Sequence, residues 1–492
     1  MKTTGLLSGI VVFFLFLVLP VPEGVTPEAM YAAGTTLLMA IWWITEAIPI
    51  YATALVPLVL FPLTGVLSAS ETAENYGHNY VLMLLGGFML AKAIEIHHLH
   101  KRIALLTIKY LGTSRKRIIA SFMLATAFLS MWIANVAVTL LMLPIATAII
   151  IEEENSGIKS KFGLALMLSI AYAASIGGTG SLVGTPPNMA FAGILEKMFP
   201  DAPEVSFLGW MQVGIPVVLV FLPIAWYFLV RFYKVKGELQ AGKSVIEEEF
   251  KSLGKISKAE KRVLILFILT SMGWIFRKSI IFGTFEIPGW SNLLGVEDYV
   301  HDSTVAIFTA LLLFMIPAGS SKRRLLTWKE ASTVPWGVVL IVGGGYCIAA
   351  GFNVTGLAEW IGRQSAVIGS FPEILILLTV VGMMIFLTEI NSNTATANIF
   401  LPIFATMAIA ANVNPLFLMF PVTFACSFSF MLPSGTGTNA VIFGSGRVTI
   451  PEMAKSGFYF NLIGILVLTL LMYLWVIPFL EISVGLPPWA HT

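Results

Sequence analysis

Charge is scarce in this chain. Asp, Glu, Lys and Arg make up 11% of its 492 residues, where a soluble globular protein carries about 25%. Hydrophobic residues make up 57%, with a mean hydropathy of +0.88. That balance excludes a soluble domain and defines a polytopic membrane protein. The net charge of +2 is too small to imply nucleic-acid binding. Cysteine is almost missing: Cys347 and Cys426 each stand alone in an apolar run, which excludes a disulfide framework and points to buried thiols. No nucleophile elbow, phosphate loop or metal-ligand spacing occurs, so the chain does not read as an enzyme. His97-His98-Leu99-His100 comes nearest to a metal motif, but its place at a basic helix end reads as an interfacial cluster.

Long apolar runs are what the sequence does have, and a spanning helix needs about 20 such residues. Lys2 precedes an apolar run over 6–19 without a small-x-small cleavage site, so it is expected to remain as a first helix over 5–23. Further helices are predicted at 30–48, 51–67 and 79–98, with an acidic loop over 68–78. An amphipathic piece then runs to about residue 113 and suits the membrane surface. Later helices fall at 208–232, 262–283, 302–317, 335–352 and 456–482, with a charged stretch over 234–262.

Two stretches are too long for one crossing, 117–151 around Asn135 and 371–411 around the polar run from Thr388 to Asn398. Each reads as a re-entrant hairpin of two half-helices. Such backbone is tolerated at membrane depth only where protein or a cavity covers it. Two more helices are interrupted, 162–195 at Gly184-Thr185-Pro186-Pro187-Asn188 and 415–446 at Gly435-Thr436-Gly437-Thr438-Asn439. A channel would need a continuous polar path, whereas the polar residues here cluster at two tips.

Basic residues test this layout. With the N-terminus inside, 24 of the 29 Lys and Arg lie on cytoplasmic segments and four outside, with Lys92 inside a helix. That bias obeys the positive-inside rule only if each hairpin returns to its own side. The expectation is an all-α inner-membrane protein of eleven crossings and two hairpins, N-terminus cytoplasmic and C-terminus outside.

The chain also repeats itself. At an offset of 258, Leu85-Gly86-Gly87 falls on Gly343-Gly344-Gly345, and Ala134-Asn135-Val136-Ala137 falls on Ser392-Asn393-Thr394-Ala395. At 251, the two Gly-Thr-x-x-Asn interruptions coincide. The predicted topology inverts one repeat against the other, which is the mark of a secondary transporter with its site at the repeat interface.

Trp42-Trp43-Ile44-Thr45-Glu46-Ala47-Ile48-Pro49-Ile50, Gly184-Thr185-Pro186-Pro187-Asn188 and Ser392-Asn393-Thr394 together resemble the divalent anion/sodium symporter (DASS) family of di- and tricarboxylate transporters, over essentially the whole chain. The resemblance implies a homodimer whose protomers pair a scaffold (1–116 and 235–370) with an elevator-like transport domain (117–234 and 371–492). It implies an anion held by Ser392, Asn393 and Thr394 with Thr436 at one end and by Asn135 with Thr185 at the other. It implies sodium ions at Ser130, Asn135 and Gly184 and at Thr388, Asn391, Asn393 and Gly435. Two positions depart from the family's pattern. The first tip reads Ala134-Asn135-Val136 in place of Ser-Asn-Thr, and the second interruption has Gly437-Thr438 where Pro-Pro is usual.

The chemistry agrees with that reading. The predicted transport core holds almost no basic side chain, so a dianion at mid-membrane relies on hydroxyls, amides, half-helix N-termini and neighbouring cations. Hard cations take oxygen ligands, which Ser, Thr, Asn and freed carbonyls supply. The expected function is sodium-coupled transport of a C4-dicarboxylate such as succinate, malate or fumarate. A sodium-independent exchanger, a proton-coupled carrier and a sulfate or citrate transporter are the alternatives. Glu46 and Glu389 lie in apolar runs and are functional candidates on that ground. Glu389 reads either as a proton-coupling group or as a hydrogen-bonded structural carboxylate. Glu152-Glu153-Glu154 reads as a solvated turn.

Overall fold

The structure, a computed structural model, describes all residues except 1, 111–113, 156–160, 239–241, 283–284, 320–322, 366–370, 483–484 and 491–492. It is built almost entirely of helices. The first repeat begins with α1 (Lys2–Val18), α2 (Pro27–Thr45), α3 (Ile50–Thr53), α4 (Val56–Thr64), α5 (Ala69–Glu74), α6 (Asn79–Ile96) and α7 (Leu99–Tyr110). A helical pair follows, α8 (Arg115–Ser130) and α9 (Asn135–Asn155), and then an interrupted pair, α10 (Phe162–Gly178) and α11 (Pro186–Met198), before α12 (Phe207–Phe232). After α13 (Gly242–Ser252) the series recurs with α14 (Lys258–Ile275), α15 (Trp290–Leu294), α16 (Asp302–Met315), α17 (Trp328–Ala331), α18 (Trp336–Val354) and α19 (Leu357–Ser365). The second helical pair is α20 (Glu373–Thr388) and α21 (Asn393–Ala410), the second interrupted pair α22 (Pro415–Cys426) and α23 (Gly437–Gly444), and α24 (Ile450–Leu471) and α25 (Ile477–Phe479) close the chain. A small β-hairpin, Ile280–Phe282 with Phe285–Ile287, joins α14 to α15.

Among the described residues, six helical stretches are long and apolar enough to cross a membrane, and six apolar helices of 10–17 residues accompany them. Apolar side chains cover the outside as well as the core. Leu7, Val11 and Phe14 of α1, Ile268 and Leu269 of α14 and Leu219 of α12 are all exposed, as a lipid-facing surface requires and a soluble one avoids.

Several boundaries differ from the sequence reading. The acidic loop contains α5, nucleated by a Ser68–Glu71 capping box. The predicted helix over 51–67 is divided into α3 and α4, and the one over 262–283 stops at Ile275. Glu46 is the exposed C-cap of α2, in a left-handed conformation with its N–H on the Trp42 carbonyl. Glu153 and Glu154 are not a solvated turn. They lie in the last turn of α9, where Glu153 is buried in an ion pair with Arg115 at the foot of α8 and Glu154 meets Arg447 at 3.0 Å. Cys347 and Cys426 are both buried free thiols. The histidine cluster binds backbone, His97 the Leu325 carbonyl at 2.8 Å and His100 the Ile94 carbonyl at 3.1 Å.

The repeat positions the site. In each half the helical pair packs on the first helix of its interrupted neighbour, α8 and α9 on α10, and α20 and α21 on α22. The second members cross over, so that α9 packs on α23 and α21 on α11. Each tip is thereby brought beside the interruption of its own half and the short helix of the other.

Candidate functional site

The α8–α9 tip is residues 131–134, and the α20–α21 tip is residues 389–392. At each, the last residue of the incoming helix carries a hydroxyl and the first residue of the outgoing helix is asparagine. Ser130 Oγ lies 2.6 Å from Asn135 Oδ1 and 2.8 Å from the Ala174 carbonyl oxygen. Thr388 Oγ1 lies 2.8 Å from Asn393 Oδ1 and 2.8 Å from the Cys426 carbonyl oxygen. The two constellations are counterparts in the repeat. Each crowds three oxygens around one hydroxyl proton, a donor set suited to a hard cation.

The interruptions complete both clusters. A Cβ at Gly178 would stand 2.6 Å from Asn135 Oδ1, and one at Gly184 would stand 3.0 Å from the Ser130 carbonyl oxygen. A Cβ at Gly435 would stand 3.0 Å from the Glu389 carbonyl oxygen and collide with Ser429 Oγ. These close approaches require glycine. Ser130, Asn135 and Gly184 are thus brought together, as are Thr388, Asn393 and Gly435. Asn391 Oδ1 accepts the Ser392 N–H at 2.9 Å, within the same tip.

The sequence placed the interruptions at the Gly-Thr-x-x-Asn motifs, but those motifs are where the second helices start. Thr185 and Thr436 are the extended N-cap residues of α11 and α23, and neither hydroxyl caps its helix. The first helices end earlier, at Gly178 and Cys426. Buried asparagines clamp the loosened backbone. Asn188 Nδ2 donates to the Gly178 and Ser181 carbonyls at 3.1 and 2.7 Å, and Asn439 Nδ2 to the Ser429 and Leu432 carbonyls at 3.1 and 3.0 Å. They satisfy carbonyls orphaned by the helix ends. The Oδ1 atoms of both have no partner among the described residues.

Glu389 is the other organiser. Its carboxylate accepts the N–H groups of Phe430 at 2.7 Å, Met431 at 3.0 Å and Leu432 at 3.1 Å, the Ser429 hydroxyl at 2.9 Å and Asn461 Nδ2 at 2.8 Å. It makes no ion pair among the described residues, and it is buried. Four partners are N–H groups that can only donate, so the carboxylate form accepts them all. This is the geometry of a hydrogen-bonded carboxylate, one of the two readings weighed from sequence. Asn461, Ser429, Asn188 and Asn439 were not singled out as site residues. A lone Asn inside the apolar α24 was the available signal for the first.

Two tips and two interrupted helices, repeated and crossed, with oxygen clusters at both, define a polytopic membrane carrier built from internal repeats. The chain belongs to the sodium:sulfate symporter family, whose transmembrane-region model matches residues 1–482, and this is the family that its motifs resemble. It is 41% identical to the sodium-dependent dicarboxylate transporter SdcS of Staphylococcus saprophyticus subsp. saprophyticus, over 99% of this chain and 93% of that one. It is also 41% identical to SdcS of Staphylococcus aureus, over 95% of this chain and 90% of that one. The fold is shared with Neisseria gonorrhoeae MtrF, described among antimetabolite efflux pumps, at a TM-score of 0.57 and 14% identity over 96% of this chain and 93% of that one. Alcanivorax borkumensis YdaH superposes with a TM-score of 0.55 at 14% identity, over 92% of this chain and 99% of that one.

Proposed function

We propose that this protein is a sodium-coupled symporter of a small divalent anion, a C4-dicarboxylate. The observation that carries the reading is the repeated hydroxyl–asparagine–carbonyl cluster at the two tips. Each would hold one sodium ion through Asn135 or Asn393 and neighbouring carbonyls. The anion would lie between them, one carboxylate on Ser392, Asn393, Thr394 and Thr436, the other on Asn135 and Thr185. The bound cations offset charge that no basic side chain offsets. The name of the two staphylococcal relatives supports a dicarboxylate, whereas the family description refers to sulfate.

The carriage is elevator-like. Residues 117–234 and 371–492 form the moving part, and 1–116 and 235–370 form a scaffold through which two protomers associate. The protein sits in the inner membrane, with the N-terminus cytoplasmic and the C-terminus outside. Radiolabelled succinate uptake into proteoliposomes tests the function. An inward sodium gradient should stimulate uptake at least tenfold; no stimulation, with uptake driven by counter-loaded dicarboxylate, would make it an exchanger. Competition by sulfate stronger than by succinate would reassign the substrate.

A further inference from the structure

The two places where the repeats differ in chemistry touch each other. Val136, the second residue of α9, belongs to the first tip, and Gly437 opens α23 beside Thr436 of the second. A Cβ built on Gly437 would lie 2.5 Å from Val136 Cγ2, and its three nearest contacts all belong to that side chain. The repeat-related residues are Thr394 and Pro186. Of the two pairs, one therefore combines a hydroxyl side chain with a residue that has no N–H. In the other a methyl group faces a glycine whose N–H has no protein partner among the described residues. Thr438 stands where the first half has Pro187, and it continues the difference. Its hydroxyl lies 3.3 Å from Ser175 Oγ of α10 and 3.4 Å from Thr436 Oγ1. Thr436 is thus tied across to the first half by a polar chain that proline could not provide.

We propose that Val136 and Gly437 are a specificity-determining pair that gives the middle of the substrate space an apolar wall. The inference rests on reading the two tips as the two ends of a dicarboxylate site. Val136 belongs to one end and Gly437 to the other, so their contact lies between the ends. Its exposed methyl groups face the carbons that separate the carboxylates, and they offer no partner to a hydroxyl or a third carboxylate there. The Gly437 N–H remains as a donor at the positive end of α23. The carrier therefore favours succinate and fumarate over malate and citrate.

Uptake of labelled succinate and malate by proteoliposomes, with melting temperature in detergent measured alongside, tests the pair. Val136→Thr keeps the shape and adds a hydroxyl, and it should raise the malate-to-succinate ratio about tenfold, in the range by which an apolar pocket discriminates against one hydroxyl. Gly437→Ala should lower the melting temperature and cut succinate uptake about tenfold or more through collision with Val136. Adding Val136→Ala to it should restore both toward the Val136→Ala level. An unshifted ratio in Val136→Thr, or a double variant no better than Gly437→Ala, overturns the pair while succinate uptake by the unaltered protein leaves the site reading intact. Absence of succinate uptake by the unaltered protein overturns the site reading, and the pair falls with it.

Discussion

The two tips share a frame and differ in how the chain beside them is held. Both place a hydroxyl, an asparagine Oδ1 and a carbonyl oxygen within 2.8 Å of one another's hydrogen-bonding centre. In the first half the connection between α10 and α11 covers 179–185 and stays nearly helical at its start. The Thr179 and Gly180 N–H groups bond back to Ile176 and Gly177 at 3.2 and 2.9 Å. In the second half the connection covers 427–436, three residues longer; Ser427 and Phe428 likewise bond back to Phe424 and Ala425 at 3.0 Å, and the N–H groups of Phe430, Met431 and Leu432 then turn to Glu389. Both interruptions begin on their own backbone, and the second adds a carboxylate delivered from the tip. The lesson is that repeated function does not require repeated support. The hydroxyl–asparagine–carbonyl geometry is kept, while the support of the interruption has diverged.

Glu389→Ala should break this contrast most severely. It strands three backbone N–H groups and Asn461 in a buried place, each costing about 1–3 kcal/mol. A loss of at least about 3 kcal/mol is expected, read as a large drop in melting temperature. A melting temperature equal to that of the unaltered protein would remove Glu389 from the support of the second tip. Next come Asn135→Ala and Asn393→Ala, compared directly. Each removes the oxygen shared with a hydroxyl at its tip, and a bond to a charged group is worth about 1.5–3 kcal/mol. Uptake should fall at least tenfold in both, with sodium half-saturation moved upward and folding retained. Near-normal uptake in either would detach that tip from transport.

Asn188→Ala and Asn439→Ala are expected to cost about 1–3 kcal/mol each, because carbonyls lose their clamp. Asn439→Ala should cost less, since Glu389 still holds the second interruption, and equal melting shifts would contradict that difference in support. The smallest effect is expected at a charged cluster whose Asp302 accepts the N–H of Phe207, the residue whose ring packs on Trp132 of the first tip. Asp302 pairs with Arg277 at 2.5 Å, and Glu204 pairs with both Arg277 and Lys278. Burial raises the Glu204 carboxyl, but Arg277 and Lys278 outweigh it and leave it below the ordinary carboxylate value. Burial lowers His301, which lies 3.6 Å from Glu204. Acid therefore destabilises through both groups. The histidine contribution is lost as pH falls below 6.5 and the carboxylate contribution as it falls below 4.5. A melting temperature constant from pH 7 to pH 4 would show that the cluster contributes nothing.

Much of this was legible in the sequence because the governing signals are local. Apolar run length marks the helices, and the two offsets bring Asn135 onto Asn393 and Asn188 onto Asn439 without any structure. Ser130 and Thr388 entered through the family resemblance, and each lies beside the asparagine of its own tip. What escaped depends on contacts between distant residues. Glu389 meets its donors some forty residues on and Asn461 beyond them, and no periodicity reports such a meeting. The interruptions were misplaced because glycine and proline are stronger local punctuation than Ser427 or Thr179, although the regular helices end just before the latter two, where the bonds tighten from i−4 to i−3. The acidic residues of 68–78 and 152–154 suggested water-exposed turns. Capping at Ser68 and pairing with Arg115 and Arg447 make them helical instead.

Glu389 also gives the second tip an electrical identity before any ligand arrives. Between Glu373 and Arg447 it is the only charged residue, and between Arg117 and Glu152 there is none. Under the elevator-like carriage proposed above, Glu389 would travel with the second tip on its empty return. Each elementary charge taken across the full membrane field changes the energy by about 2.3 kcal/mol per 100 mV. The proposed unloaded step would then respond to voltage, and the membrane potential would bias which way the empty site faces. A transient charge displacement measured without sodium or anion, and lost in Glu389→Gln, is the expected signature.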